Sequence, residues 1–239
     1  MTVYIGVDIG TTSTKTIAYD EGGRLLAEES EGYELRSPHP GWAEEDPEEI
    51  LEAVLGTLSG VVEAVKAGDH GEISGVSLST AMHTLMGLDA DGRPLTASIT
   101  YADNRAMEQA NRIREEMDGP AIHRRTGTPI HPMSPLTKLL WFRECDADTF
   151  DRAARWVSLK EYVFHRLFGE YVVDHSIASA TGLELVIAFK RRRTRPAACW
   201  RVELRSSGGG GIEPRKISTG CGGCLGMSFM GYFGPGPFF

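Results

Sequence analysis

The spacing of apolar and polar positions predicts most of the elements in this chain. Residues 2–9 form an apolar, β-branched run of the kind a buried strand needs. A small polar turn, Gly10-Thr11-Thr12-Ser13, follows it. Residues 15–19 read as a second strand, closed by Asp20-Glu21-Gly22-Gly23, and residues 24–33 as a third. Short turns rich in Gly, Thr and Asp favour antiparallel hairpins, so the chain should open as a three-strand meander. Asp46 then reads as an N-cap, with Pro47 at the first helical position and Glu48 and Glu49 in the first turn. Ile50, Leu51, Val54, Leu58, Val61, Val62 and Val65 recur at helical spacing and predict one buried face. Residues 72–78 predict a further strand, and 85–88 and 95–101 two weaker ones around the turn Asp89-Ala90-Asp91-Gly92. Helices are expected over 104–117, 135–144 and 159–168. The order is an α/β pattern with an antiparallel start, not the strict alternation of a doubly wound parallel sheet.

Composition changes this picture at one place. The chain has 239 residues and a formal net charge of −8, enough length for one large domain or two small ones. Residues 1–184 hold 16 Lys and Arg against 31 Asp and Glu, a net of −15. Residues 185–239 hold 9 against 2, a net of +7, with 11 of the 28 Gly and 3 of the 4 Cys. Two domains of different character are therefore expected, a folded one over 1–184 and an irregular basic tail over 185–239. An out-of-frame GC-rich gene would yield such a tail. A basic arm for RNA or a membrane surface, or a redox or metal site on Cys221 and Cys224, are the other readings. Cys145 reads as an ordinary reduced thiol on a helix. The acidic balance argues against a nucleic-acid partner. No apolar run approaches the roughly 18 residues that cross a bilayer, and the start lacks a basic n-region, so a cytoplasmic protein without a membrane partner is expected.

The candidate chemistry begins at Asp8-Ile9-Gly10-Thr11-Thr12-Ser13-Thr14-Lys15. Gly10 permits close backbone approach, and Thr11, Thr12 and Ser13 offer hydroxyls beside successive N–H groups, a combination that cradles phosphate oxygens. Asp8 at a strand end suits a hydrated Mg²⁺. A plain β-turn capped by Asp and Thr has the same sequence. The octet is neither a Walker A loop nor a dinucleotide fingerprint.

Placed on the first hairpin of a meander, Asp-x-Gly-Thr-Thr-Ser-x-Lys resembles the first phosphate loop of the actin-like ATPases (ribonuclease H-like fold). Within them, the chain resembles the FGGY carbohydrate kinases, and their gluconokinases most. The likeness continues through residues 37–47, Ser79-Thr80-Ala81-Met82-His83, residues 94–105, residues 125–133, Leu159-Lys160-Glu161-Tyr162 and residues 171–182.

The resemblance implies ATP and Mg²⁺ as cofactors, a small-molecule sugar acid as partner, and a homodimer in the intact family. It implies phosphate contacts from Asp8, Gly10, Thr11, Thr12, Ser13 and Lys15, with Asp8 toward the metal. Sugar contacts would come from Met82, His83, Tyr101, Asp103 and Met133, with His131 on the same loop as Met133. Taken alone, His83 reads as a strand-end histidine satisfied by backbone, Met82 as core, and Asp103 as a helix cap. A carboxylate substrate needs a basic partner, for which Arg105, Arg124, Arg125, Lys138 and His83 are candidates. The acidic runs Glu44-Glu45-Asp46 and Glu48-Glu49 read as a solvated helix start.

The expected reaction is phosphorylation of gluconate to 6-phosphogluconate, with xylulose or glycerol kinase, or a non-catalytic sugar-binding remnant, as alternatives. The family's general base is an Asp in a Gly-Gly-x-Asp segment well beyond the position of Gly182. No Asp follows Asp174 in this chain, so a truncated and inactive N-terminal half is expected.

Overall fold

The computed structural model describes residues 1–183 and the backbone of two short strands, Val202–Ser206 and Ile212–Lys216, which pair antiparallel. The readings of Cys221 and Cys224 lie outside the described residues. In chain order the strands are β1 (Thr2–Ile9), β2 (Ser13–Asp20), β3 (Leu25–Gly32), β4 (Glu44–Glu45), β5 (Glu72–Thr80), β6 (Met86–Leu88), β7 (Ser98–Ile99), β8 (Arg155–Val157), and the pair β9 and β10 just named. The helices are α1 (Pro47–Ala67), α2 (Met107–Glu116), α3 (Gly119–Thr126), α4 (Pro135–Cys145), α5 (Ala147–Arg152), α6 (Leu159–Phe168) and α7 (His175–Ala180).

The expected meander forms. β1, β2 and β3 pair antiparallel in turn, and β5 adds to the other side of β1 in parallel, giving the sheet order β3-β2-β1-β5. Alternation along β1 sends Val3, Ile5, Val7 and Ile9 to one buried face, where α1 covers them. All seven apolar positions predicted for α1 are buried. Truncating one of them, Leu58, to Ala would cost about 2–5 kcal/mol. Asp46 caps α1 as expected, its side chain accepting from the N–H groups of Glu48 and Glu49.

The rest departs from the periodicity. The weak strand candidates shrink to β6 and β7, which pair with β8 and β4 instead of with each other as strands. The helix expected over 104–117 starts only at Met107, because the preceding residues serve Arg105, described below. The short helices α3, α5 and α7 carry too few apolar positions to show a period. Cys145 is a free, exposed thiol at the end of α4. Among the described residues no helix is long and apolar enough to cross a membrane.

Candidate functional site

The first hairpin is fixed from beneath by one tyrosine. The N–H of Gly10 donates to Ser13 O (2.9 Å) and closes the turn. Tyr33 donates its hydroxyl to Gly10 O (2.7 Å) and its N–H to Thr12 O (3.0 Å), and its hydroxyl lies 3.2 Å from Thr14 Oγ1. Burial pushes the Tyr33 phenol up to about 12, so it stays a donor. A side chain at position 10 would put its Cβ 3.1 Å from Ser13 O, tighter than most real contacts, so Gly fits best.

The upper side of this turn is open. Among the described residues, the N–H groups of Thr11 and Thr12, the hydroxyls of Thr11, Thr12 and Ser13, and the exposed carboxylate of Asp8 make no hydrogen bond. Such a set of unspent donors beside one carboxylate fits phosphate oxygens and a hydrated hard cation. Lys15 faces Asp8 across the β1–β2 ladder but is held by Glu28 at 2.7 Å, and that pair raises its pKa.

The parallel pairing of β1 with β5 delivers a second loop to the same end of the sheet. Asp8 and Ile9 sit in register with Ser79 and Thr80, and Ala81 N–H donates to Ile9 O (3.0 Å). Met82, next in the chain, is 39% exposed. His83 follows with φ +64°, a left-handed backbone that non-glycine residues seldom adopt. Its Nδ1 lies 3.1 Å from the carbonyl of Ala180, which can only accept, so Nδ1 carries the proton and Nε2 is left as an acceptor. Burial, helped by the Lys138 charge, lowers the His83 pKa and keeps that ring neutral. Both readings of His83 are therefore compatible: one nitrogen is satisfied by backbone and the other is not.

Asp103 sits differently from the sequence expectation. It is fully buried, and both its oxygens are filled by protein donors. Oδ2 accepts from Ala43 N (2.8 Å) and Arg105 Nη2 (2.8 Å), and Oδ1 from Arg105 N and Nε (both 2.9 Å). It is not presented to a surface where sugar hydroxyls would meet it, and α2 is capped without it. Its work is to hold Arg105, whose guanidinium also pairs with Glu44 (2.5 Å) and lies 3.6 Å over the Trp42 ring. Arg105 is thereby removed from the candidates for a substrate carboxylate. Tyr101, two residues earlier, is half exposed.

The loop of His131 and Met133 comes close enough for the His131 charge to depress the His83 pKa. His131 is exposed; its Nδ1 accepts from Met133 N (3.2 Å), and burial plus Arg114 lower its own pKa. Its carbonyl anchors the start of α4 through Ser134 and Thr137. Met133 is half buried. Arg124 and Arg125, in the last turn of α3, are exposed.

Two buried charges escape hydropathy. Lys138 on α4 is wholly enclosed, and Nζ donates to the carbonyls of His83 (2.6 Å), Thr100 (2.8 Å) and Ile99 (3.3 Å). With all three protons committed, it too is removed as a carboxylate partner. Glu45, expected in a solvated run, is 1% exposed on β4, with Oε1 unpartnered and Ser98 the nearest donor to Oε2, at 3.5 Å. Burial lifts its pKa to about 8. The signal for Glu45 was a period of two over Ala43, Glu45 and Pro47, all buried, but only the outer two are apolar enough to show it.

An open hairpin beside the Met82–His83 loop, both at one end of the β3-β2-β1-β5 sheet, marks the class to which the chain belongs. Residues 3–186 match the profile of the FGGY family of carbohydrate kinases, N-terminal domain, and the chain belongs to that family. It is 45% identical over 184 residues to the gluconokinase of Bacillus subtilis, covering 77% of this chain and 35% of that one. The gluconate kinase structure from Lactobacillus acidophilus matches with a TM-score of 0.72 and 39% identity, over 76% of this chain and 36% of that one. The xylulose kinase structure from Rhodospirillum rubrum matches with a TM-score of 0.74 and 30% identity, over 78% and 38%. The chain thus spans little more than a third of the length of these relatives.

Proposed function

We propose that residues 1–184 are the phosphate-loop and sugar-side domain of an ATP-dependent sugar-acid kinase, with gluconate as the acid. One observation carries the reading: β1 and β5 end in register, so the open turn at residues 10–13 and the loop of Met82 and His83 leave the sheet side by side. The 45% identity to the gluconokinase of Bacillus subtilis, against 32% to the xylulose kinase of the same organism, supports gluconate.

In this reading Thr11, Thr12 and Ser13 meet phosphate oxygens, and Asp8 holds a hydrated Mg²⁺. When bound, that ion offsets charge on the transferring phosphoryl group. His83 Nε2 accepts from a sugar hydroxyl, Tyr101 offers an aromatic face to sugar C–H bonds, and Met82 and Met133 line the approach. Arg124 and Arg125 remain as partners for the carboxylate. Asp103 acts through Arg105 and the backbone of Ala43. A cytoplasmic location belongs to the same reading, as does a boundary near residue 184 between this domain and the basic residues 185–239, within which β9 and β10 pair.

The hydroxyl that attacks must lose a proton, and this chain supplies no Asp beyond Asp174 for that task. Purified material should therefore give no gluconate-dependent ADP. Calorimetry tests the binding half: gluconate should bind saturably without nucleotide, at least tenfold more weakly to the His83→Ala and Tyr101→Ala variants. Saturable xylulose binding with no gluconate response would replace the acid by a ketose. Robust turnover would mean that a base exists among residues given no such role.

A further inference from the structure

Lys138 has a chemistry that the proposed function leaves unused. Its ammonium is sealed beneath the site, and its three protons meet three carbonyls. The His83 carbonyl lies on the loop after β5. Those of Ile99 and Thr100 lie at the end of β7, immediately before Tyr101. Lys138 itself sits on α4, directly after the loop of His131 and Met133. One side chain thus ties the loop that precedes its own helix to the two other segments from which the sugar side is read, which lie 38 to 55 residues from it in sequence. The His83 backbone adds a second observation. Its left-handed φ persists only where surroundings impose it, and two bonds do so here, Lys138 to its carbonyl and Ala180 to its ring.

We propose that Lys138 is a positioning residue that locks the His83 and Tyr101 loops into one arrangement before a sugar arrives. Lys fits the task because three protons on one compact centre can serve three carbonyls at once; those of Ile99 and Thr100 also accept from the N–H groups of Leu85 (3.1 Å) and Asp103 (3.3 Å), so Lys138 ties the His83 carbonyl to a pairing already in place. A methionine of similar length would fill the space, leave the His83 carbonyl without its donor and take one of two donors from the Ile99 and Thr100 carbonyls. What the loops bind rests on the sugar-acid reading, whereas the locking itself does not.

Amide hydrogen exchange by NMR tests it on the full chain. In Lys138→Met, protection of the hydrogen-bonded amides of Leu85, Ala102 and Asp103 should fall at least tenfold, while Val54 and Val61 in α1 keep theirs. Gluconate affinity should fall at least tenfold in the same variant. Unchanged protection in the two loops, or an equal loss across α1, would overturn the proposal. If wild-type chain does not bind gluconate, the sugar reading fails and the exchange arm still decides the role of Lys138.

Should the variant not fold, the wild-type chain carries the test. Burial lowers the Lys138 pKa to about 7, against the opposing charges of Asp103 and Glu45 and with the like charge of Arg105; His83 also faces it. As pH rises from about 7 toward 10.5, an opened loop would keep the Lys138 proton that the closed one has lost, so protection factors of the two loops should rise together while those of α1 hold. Loops that keep constant protection through the loss of the proton would contradict the locking role.

Discussion

The two halves of the candidate site are built by opposite means. The phosphate side is a hairpin: its turn closes within four residues, and Tyr33 steadies it from 19 to 23 positions away. Its working groups stay open. On the candidate sugar side, few groups are open, and they are held by buried polar contacts recruited from far along the chain: Lys138 to His83, Asp103 to Ala43, His83 to Ala180. The carboxylate of the first side, Asp8, stands exposed, and that of the second, Asp103, is a buried structural part. Mutating one carboxylate from each side should therefore separate stability from binding.

The largest effect should come from Asp103→Ala. It would leave the Arg105 guanidinium, 3% exposed, with Glu44 as its remaining ion partner and would orphan the Ala43 N–H. Breaking a buried pair from one side costs about 3–5 kcal/mol, readable as a lower urea midpoint. A loss under about 1 kcal/mol would show that Asp103 is less enclosed and closer to the ligand role first expected of it.

Next comes Glu45→Gln. The Glu45 pKa is raised, so the folded state binds its proton more tightly and stability falls as pH rises from about 4.5 to about 8. That decline should amount to roughly 5 kcal/mol at most and should flatten in Glu45→Gln. Lys138 acts in the opposite sense at higher pH. Its lowered pKa means that stability recovers as pH rises from about 7 toward 10.5. Urea titrations at several pH values check both limbs.

Smaller again is Tyr33→Phe, which removes the bond to Gly10 O at a cost of about 1–1.5 kcal/mol and should raise hydrogen exchange at the bonded amides of Gly10 and residue 33. Smallest is Asp8→Ala, expected to change stability by less than about 0.5 kcal/mol while abolishing any Mg²⁺ dependence of triphosphate binding. Equal destabilisation by Asp8→Ala and Asp103→Ala would erase the contrast between the two sides.

That contrast also governs how much the sequence could reveal. The hairpin, α1 with its Asp46 cap, and β5 were legible because each announces itself through local period and turn chemistry. The juxtaposition of Asp8 with Met82 and His83 followed from family likeness. Its physical cause, the parallel β1–β5 register, is a long-range pairing that no local pattern encodes. Asp103 and Glu45 were misplaced for a related reason: a charged residue reads as exposed unless its partner is known. The partners of Asp103 are Ala43, 60 residues away, and Arg105, whose own environment is two tryptophan rings. Lys138 looked like one of five interchangeable cations, and only tertiary packing sets it apart.

The most direct test maps two ligands onto one ¹H–¹⁵N spectrum of the full chain. Inorganic triphosphate with Mg²⁺ should shift the amides of residues 10–13, gluconate should shift those of Met82, His83 and Tyr101, and the two sets should adjoin without coinciding. Shifts for both ligands that fall away from the ends of β1 and β5 would contradict the shared site.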